Sequence, residues 1–170
     1  MIDIHTHIIP GIDDGPPDMS GTVAMGEVAA ANGIRMLAAT PHVREDHPGV
    51  RPDEIAQRAE EVDGVLRGHG IDIWVAPGGE LAITAMVDMS DSQLKDVTLG
   101  GNGRDLLVET PYGPLPYIFE ELLGDLRRRG FRVTLAHPER NPTLQQDLGR
   151  LGDQPLQLFS HAQHRPLDRS

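Results

Sequence analysis

Five short apolar runs each end at histidine or carboxylate residues, and this repeated pattern constrains the fold more than any other feature of the sequence. Each run consists mainly of aliphatic or β-branched residues between turn-forming residues, which is typical of a buried strand. The runs lie at 2–4, 34–39, 71–75, 106–108 and 131–136. Because the carboxyl ends of parallel strands lie on one side of an α/β fold, polar side chains at five such ends can form one site.

Segments with helical periodicity separate the predicted strands. Asp18 and Gly33 bound the first helix, Pro52-Asp53 opens the second, and residues 116–129 form the third, with Ile118 among its inward-facing residues. Strand and helix alternate about five times, which predicts parallel pairing in an open sheet or in part of a barrel. The sequence contains no G-x-G-x-x-G motif, Walker loop or internal repeat, so a nucleotide-binding sheet has little support and the barrel is favoured.

Composition excludes several classes of function. The 170 residues suit one domain, and the formal net charge of −11 argues against a nucleic-acid partner, which needs a basic surface. The chain has no cysteine, so thiolate metal sites and thiol nucleophiles are excluded. No uncharged apolar stretch approaches the roughly 18 residues of a membrane span, and no basic leader precedes the first strand. A cytoplasmic protein is the resulting expectation.

Two imidazoles lie two residues apart after the first predicted strand, in His5-Thr6-His7. On an extended chain both can point to the same side and share one metal ion. By itself this pair is equally consistent with two ordinary polar histidines. The glycine-flanked turn that follows contains Asp13 and Asp14, whose carboxylates are candidate hard-oxygen ligands, although an Asx turn is the alternative interpretation.

Single candidate ligands accompany the other four predicted strands. His42 follows the second strand, Glu80 comes after Gly78-Gly79, and His137 follows the last strand. Glu109 ends an otherwise apolar strand, where a carboxylate needs pairing, protonation or a metal because an unpaired buried charge is costly. The two glycines before Glu80 predict a close approach of the backbone to another group.

The complete candidate ligand set combines imidazoles with carboxylates. It consists of His5, His7, Asp14, His42, Glu80, Glu109 and His137. Such ligands suit Mn²⁺, Fe²⁺, Zn²⁺ or Mg²⁺, and closely spaced divalent ions can hold a hydroxide nucleophile beside a phosphoryl group. Arg140 can bind two phosphate oxygens at once through its planar guanidinium. Hydrolysis of a phosphate ester is therefore predicted, whereas His47 and His69 are interpreted as ordinary polar residues.

Taken in order, the same segments resemble a known protein family. The segments are 1–15, Ala39-Thr40-Pro41-His42, Gly79-Glu80, Val108-Glu109-Thr110-Pro111 and Ala136-His137-Pro138-Glu139-Arg140-Asn141. They resemble the bacterial capsule and exopolysaccharide protein-tyrosine phosphatases of the polymerase and histidinol phosphatase (PHP) superfamily. This resemblance implies a PHP-type distorted (β/α)₇ TIM-like barrel, here incomplete with about five βα units, and a manganese-preferring site of two or three ions.

The resemblance also implies residue roles and partners. The implied ligands of the three ions are His5 and His7 for the first, Glu109 and His137 with a bridging Glu80 for the second, and Asp14 and His42 for the third. Arg140 matches the phosphate-binding arginine of the family. Family members are cytoplasmic, dephosphorylate the tyrosine autokinases that control polysaccharide export, and often oligomerise. The alternative enzyme is another phosphoesterase of the PHP superfamily.

The resemblance ends near residue 151, which divides the chain into a phosphatase domain at 1–151 and a divergent tail at 152–170. The family continues for about two more strands, which supply an Asp-x-His pair and a further arginine. A truncated or frame-shifted chain is the preferred explanation, with a non-catalytic binding module as the alternative. The tail has neither strand alternation nor helical period, so we expect the sheet to end with the strand at 131–136, leaving an open edge that favours self-association or low stability. His161 and His164 are weaker candidates for replacing the missing ligands.

Overall fold

Parallel strands form the centre of the molecule. The computed structural model describes residues 1–147, 149 and 157–159. One sheet contains, in order, β1 (Ile2–Thr6), β2 (Met36–Ala39) and β4 (Trp74–Pro77). The other contains, in order, β3 (His42–Val43), β5 (Glu80–Leu81), β6 (Asp105–Glu109), β7 (Arg132–Ala136) and β8 (Gln157–Phe159). Every neighbouring pair is parallel, which confirms the predicted parallel α/β fold.

The two sheets are successive parts of the same chain segments. Only Thr40-Pro41 separates β2 from β3, and only Gly78-Gly79 separates β4 from β5. Proline has no N–H to donate to a strand ladder, so the regular pairing is interrupted there. The backbone N–H of Glu80 nevertheless donates to the carbonyl oxygen of Pro41 at 3.0 Å, directly across from the break. The segments that carry the candidate ligands therefore stay side by side in chain order.

Helices follow the strands along the chain. They are α1 (Met19–Ala31), α2 (Ile55–Gly68), α3 (Ile83–Asp88), α4 (Asp91–Asp96), α5 (Phe119–Arg128) and α6 (Pro142–Gln146). Asp18 caps α1 as predicted, because its side chain accepts a hydrogen bond from the backbone N–H of Gly21 at 3.0 Å. In the described part of the chain, no helix combines the length and apolar character needed to cross a bilayer.

The third predicted helix begins later than the sequence pattern indicates. Its observed counterpart α5 begins at Phe119 and buries Phe119, Leu123 and Leu126, whereas Ile118 is 50% exposed. The prediction that Ile118 faces inward is therefore wrong. Burial of the larger Phe119 side chain sets the phase of this helix, because burying more apolar surface stabilises the fold more.

Strand β8 corrects the expectation that the sheet ends with the strand at 131–136. The paired residues of β7 and β8 are Thr134 with Gln157, Leu135 with Leu158, and Ala136 with Phe159. A strand of three residues is too short for hydrophobic alternation to reveal it, and its position is fixed by the ladder partners that β7 offers. The expectation of an open edge at β7 is therefore wrong. His161 and His164 lie outside the described residues, and the division of the chain at residue 151 stays a prediction.

Candidate metal centre

The predicted ligands converge at the carboxyl ends of five neighbouring chain segments. His5 lies in β1, His42 in β3, Glu80 in β5 and Glu109 in β6, while His137 directly follows β7. All five side chains are buried. His42 and Glu80 open the short strands that continue β2 and β4, so all five ligands lie near or beyond the carboxyl ends of β1, β2, β4, β6 and β7, which parallel pairing brings together.

Glu80 lies at the centre of the cluster. One of its carboxylate oxygens, Oε2, is 3.2 Å from His5 Nε2, 3.2 Å from His7 Nε2 and 3.1 Å from His42 Nδ1. The other oxygen, Oε1, is 2.7 Å from His137 Nε2. Four imidazoles therefore surround one fully buried carboxylate. An ion pair alone does not require so many imidazoles, whereas a shared metal site does.

Three groups of side chains have the spacing of metal ligands, with the candidate donor atoms of each group within 4.8 Å of one another. The groups are His5, His7 and Glu80; His7, Asp14 and His42; and His42, Glu80 and Glu109. They share ligands, so they form one centre rather than three separate sites. His137 contacts the centre through Glu80, and His42 rather than His137 accompanies Glu80 and Glu109 in the third group.

His137 has an unusual backbone conformation. Its φ of 35° and ψ of 49° lie in the left-handed region, which non-glycine residues seldom occupy. The buried Thr110 hydroxyl donates to the carbonyl oxygen of Ala136 at 3.0 Å and lies 3.3 Å from that of His137, which ties this turn to the end of β6. Strained residues of this kind are concentrated at functional sites.

Asp13 has a role that the sequence did not identify. Its side chain is fully buried, and its Oδ2 is 2.8 Å from His7 Nδ1 and accepts a hydrogen bond from the His42 backbone N–H at 3.0 Å. A carboxylate on the second ring nitrogen orients an imidazole and makes its other nitrogen a better ligand. Asp14, the predicted ligand, is 68% exposed, and its Oδ1 is 3.1 Å from His7 Nδ1. Adjacent carboxylates thus take different positions around one histidine.

Two glycines allow the close packing on which this centre depends. A Cβ atom at Gly15 would lie 2.3 Å from the carbonyl oxygen of His7, so the turn after β1 requires glycine there. A Cβ atom at Gly79 would lie 2.9 Å from Val43 Cγ2. The predicted close approach of the backbone before Glu80 is therefore confirmed.

Three further residues lie beside the centre, and no sequence pattern selects them. His47, interpreted as an ordinary polar residue, stacks on His42 with ring centroids 5.2 Å apart. Arg44 donates from Nη1 to the two Glu109 oxygens at 3.3 and 3.4 Å. Tyr112 stacks on His137 with centroids 6.5 Å apart. Their positions two to five residues beyond a predicted ligand are the only sequence signal that could have identified them.

The predicted phosphate-binding residue, Arg140, is exposed, unlike the buried ligands at the strand ends. Arg140 ends the 3-10 turn Pro138–Arg140, three residues after His137, and it is exposed. Its role therefore stays a prediction, since exposure leaves the guanidinium accessible to a ligand and does not by itself assign one.

The electrostatics of the cluster favour cations. Burial opposes charge on Glu80, but hydrogen bonds from His137, His42, His5 and His7 outweigh it and hold the pKa of this carboxyl far below its usual range. Burial likewise opposes charge on His7, yet hydrogen bonds and charge attraction from Asp13 and Glu80 raise its pKa to about 10. Glu80 therefore stays anionic, and its negative charge favours a proton or a metal cation on the imidazoles around it.

The donor set fits divalent metal ions. The Nε2 atoms of His5 and His7 lie 3.3 Å apart and both face Glu80 Oε2. Facing imidazole nitrogens need a proton or a cation between them, because two nitrogen lone pairs repel each other. Imidazole and carboxylate donors together suit Mn²⁺, Fe²⁺, Zn²⁺ or Mg²⁺. The fold and the site thus define an α/β protein with a candidate polynuclear metal centre.

The chain belongs to the CpsB/CapC family of capsular polysaccharide synthesis proteins, whose family model matches residues 1–154. The resemblance drawn from the sequence is therefore confirmed at the level of the family. The chain is 32% identical over 147 residues to the tyrosine-protein phosphatase YwqE of Bacillus subtilis, and the match covers 86% of this chain and 58% of that protein. It is 28% identical over 153 residues to the putative tyrosine-protein phosphatase CapC of Staphylococcus aureus, covering 89% of this chain and 59% of that one.

A solved structure supports the same assignment. The chain matches a structure from the work on YwqE of Bacillus subtilis and CpsB of Streptococcus pneumoniae, described as unique metal-dependent tyrosine phosphatases, with a TM-score of 0.80 and 31% identity. This match covers 88% of the chain and 60% of the solved one. The chain thus spans about 60% of the length of these relatives.

Proposed function

We propose that this chain is the metal-binding part of a protein-tyrosine phosphatase that acts on phosphotyrosine in proteins of capsule or exopolysaccharide synthesis. The observation that carries the proposal is the buried Glu80 carboxylate, which has three imidazole nitrogens within 3.2 Å of one oxygen. Relatives named as tyrosine-protein phosphatases, and a similar structure described as metal-dependent, support the choice of reaction.

Each candidate group supplies ligands for one divalent ion, and we propose Mn²⁺ as the resident metal. Glu80 would contribute to two groups, His7 and His42 would also be shared, and Asp14 would complete the more exposed group. Such ions activate water for attack and neutralise charge on a phosphoryl group. Asp13 would keep the His7 ring oriented through its 2.8 Å contact to Nδ1.

The proposed reaction does not require a strong general acid among the remaining side chains. A tyrosine phenolate, with a pKa of about 10, leaves more readily than an alkoxide and needs less help from a general acid. Arg140 would hold the phosphoryl oxygens through its guanidinium, which can form two parallel hydrogen bonds. Its exposed position, three residues after His137, is compatible with such a contact.

The finer assignments follow from the same family. We propose that the parallel strands belong to a distorted (β/α)₇ barrel of the PHP type, in which the order of strands matches their order in the chain, as it does here. The proposed partner is a tyrosine autokinase in the cytoplasm. We also propose that the chain self-associates, which sedimentation measurements would test.

A phosphatase assay tests the proposal directly. Purified chain with added Mn²⁺ should hydrolyse an aryl phosphate and a phosphotyrosine peptide, and EDTA should abolish turnover. Arg140→Ala should raise the KM. The control Arg104→Ala alters an exposed residue just before β6, at the end of that strand away from Glu109, and should leave the KM unchanged. Preference for alkyl phosphates would favour another phosphoesterase, and metal binding without turnover of any phosphate would favour a binding module.

A further inference from the structure

An open cavity of about 390 Å³ adjoins the metal centre. Glu109 belongs both to the wall of this cavity and to the third candidate ligand group. The cavity and the centre are therefore continuous through one side chain. An engineered cavity of about 150 Å³ is enough to bind benzene, so this space can accept an aromatic ring together with the atoms attached to it.

The cavity is built from the same chain segments as the centre. Its walls come from the segments that directly follow three ligands, namely Arg44 to Asp46 after His42, Ala82 to Thr84 after Glu80, and Pro111 and Tyr112 after Glu109. Each of these wall segments begins two residues beyond a ligand, so the backbone that positions the ligand also positions the wall. A molecule bound in the cavity is thereby aligned with the centre.

Besides its charged residues, the cavity lining contains several apolar ones. Ala82 is buried, Ile83 packs against the core, and Pro111 and Tyr112 are the other apolar or aromatic lining residues. Tyr112 is 68% exposed, yet its ring lies nearly parallel to the His137 imidazole, with an interplanar angle of 17°. Aromatic and aliphatic walls of this kind stabilise a flat aromatic ring by dispersion and by removing it from water.

The guanidinium of Arg44, the cationic group of the cavity lining, is already paired. Arg44 donates to Glu109 at 3.3 Å and to Asp46 at 2.5 Å, so its guanidinium lies between two carboxylates. This arrangement leaves little net positive charge for a second anion. The cavity is thus suited to the uncharged part of a ligand whose anionic part lies at the metal centre.

We propose that this cavity is the subsite for the aromatic ring of phosphotyrosine, with Ile83 and Tyr112 as the residues that determine preference for aryl over alkyl phosphates. The choice of occupant rests on the proposed function, because the phosphate must lie at the metal centre while its ester group points into the cavity. Neither residue takes part in the transfer of the phosphoryl group. Their contribution is to specificity.

Binding of phenol tests the subsite without any catalytic step. The chain carries a ¹³C-methyl label on isoleucine, and the Ile83 methyl signal is followed by NMR during a phenol titration. The blocking variant is Thr84→Phe, which adds a ring at an exposed position of the cavity wall, and its matched control is Val87→Phe on the same helix, 62% exposed and outside the cavity. We expect a saturable shift in the unsubstituted chain and in the control, and its loss in Thr84→Phe. No saturable shift, or an equal shift in all three proteins, overturns the proposal.

Substrate preference supplies the second test. Tyr112→Ala should lower the ratio of kcat/KM for phenyl phosphate to that for an alkyl phosphate by about tenfold, since burial of one ring accounts for at least that factor. The control Tyr117→Ala changes a residue that is 97% exposed and outside the cavity, and it should leave the ratio unchanged. An unchanged ratio in Tyr112→Ala overturns the subsite and leaves the proposed function intact. Saturable phenol binding in a chain without phosphatase activity supports the subsite and overturns the proposed function.

Discussion

Replacement of Glu80 by alanine should reduce metal binding more than the same replacement of Glu109. Glu80 belongs to two of the three candidate ligand groups, whereas Glu109 belongs to one. The Glu80 carboxylate is also the more deeply buried of the two. A carboxylate shared by two ions neutralises charge on both, so its loss affects both.

The expected magnitude follows from mass action. An ion present at 1,000 times its Kd stabilises the folded state by about 4.1 kcal/mol. For a chain of this size, about 1 kcal/mol changes the Tm by roughly 2–4 °C, so one occupied site raises it by about 8–16 °C. Glu109→Ala should therefore reduce the metal-induced rise in Tm by the contribution of one occupied site. Glu80→Ala should reduce that rise by the contribution of about two sites.

Thermal melts with and without Mn²⁺ measure this quantity, and elemental analysis gives the number of ions per chain. The metal-induced rise is compared rather than the Tm itself, because either substitution also changes the metal-free protein. Glu60→Ala, which alters an exposed residue of α2, provides the control and should retain the full rise. Equal losses in Glu80→Ala and Glu109→Ala would refute the shared position of Glu80.

Three other predictions concern protons, an orienting carboxylate and the last described strand. The pKa of His7, raised from 6.5 to about 10, means that its charged form stabilises the metal-free fold below pH 6.5 and that this contribution is lost as the pH rises through 10. Metal binding must displace that proton, so calorimetry should show an affinity that rises by up to about tenfold per pH unit between pH 7 and 9, and a constant affinity would contradict this. Asp13→Asn should weaken metal binding by about 10–100-fold, measured by competition with a chelator, whereas the exposed control Asp53→Asn should not. Removal of residues 152–170 deletes β8 and should lower the Tm, and an unchanged Tm would show that β8 does not stabilise β7.

The sequence predicted the convergence of the ligands because that depends on strand order and on strand ends alone. Glu109 ends β6 and His5 lies one residue before the end of β1, and parallel pairing in chain order brings such ends together. The exact strand limits depend on pairing, which a single run does not reveal. The predicted run 71–75 became the strand Trp74–Pro77, because Trp74 pairs with Met36 of the neighbouring strand.

Side-chain environments were less predictable than the fold. Asp13 and Asp14 are adjacent and chemically alike, and only the closure of their turn against His7 determines which one is buried. The contacts of Arg44 with Glu109 and of His47 with His42 depend on how the loop after β3 folds back. Such contacts come from the conformation of a loop, and neither periodicity nor residue type encodes them locally.

Crystals of the chain grown with Mn²⁺, measured at the manganese absorption edge, would test the existence of one polynuclear centre most directly. We expect two or three anomalous peaks in contact with the cluster around Glu80, with one peak between the His5 and His7 rings and another beside His42 and Glu109. A single peak, or peaks confined to the exposed carboxylates of the surface, would contradict the central claim.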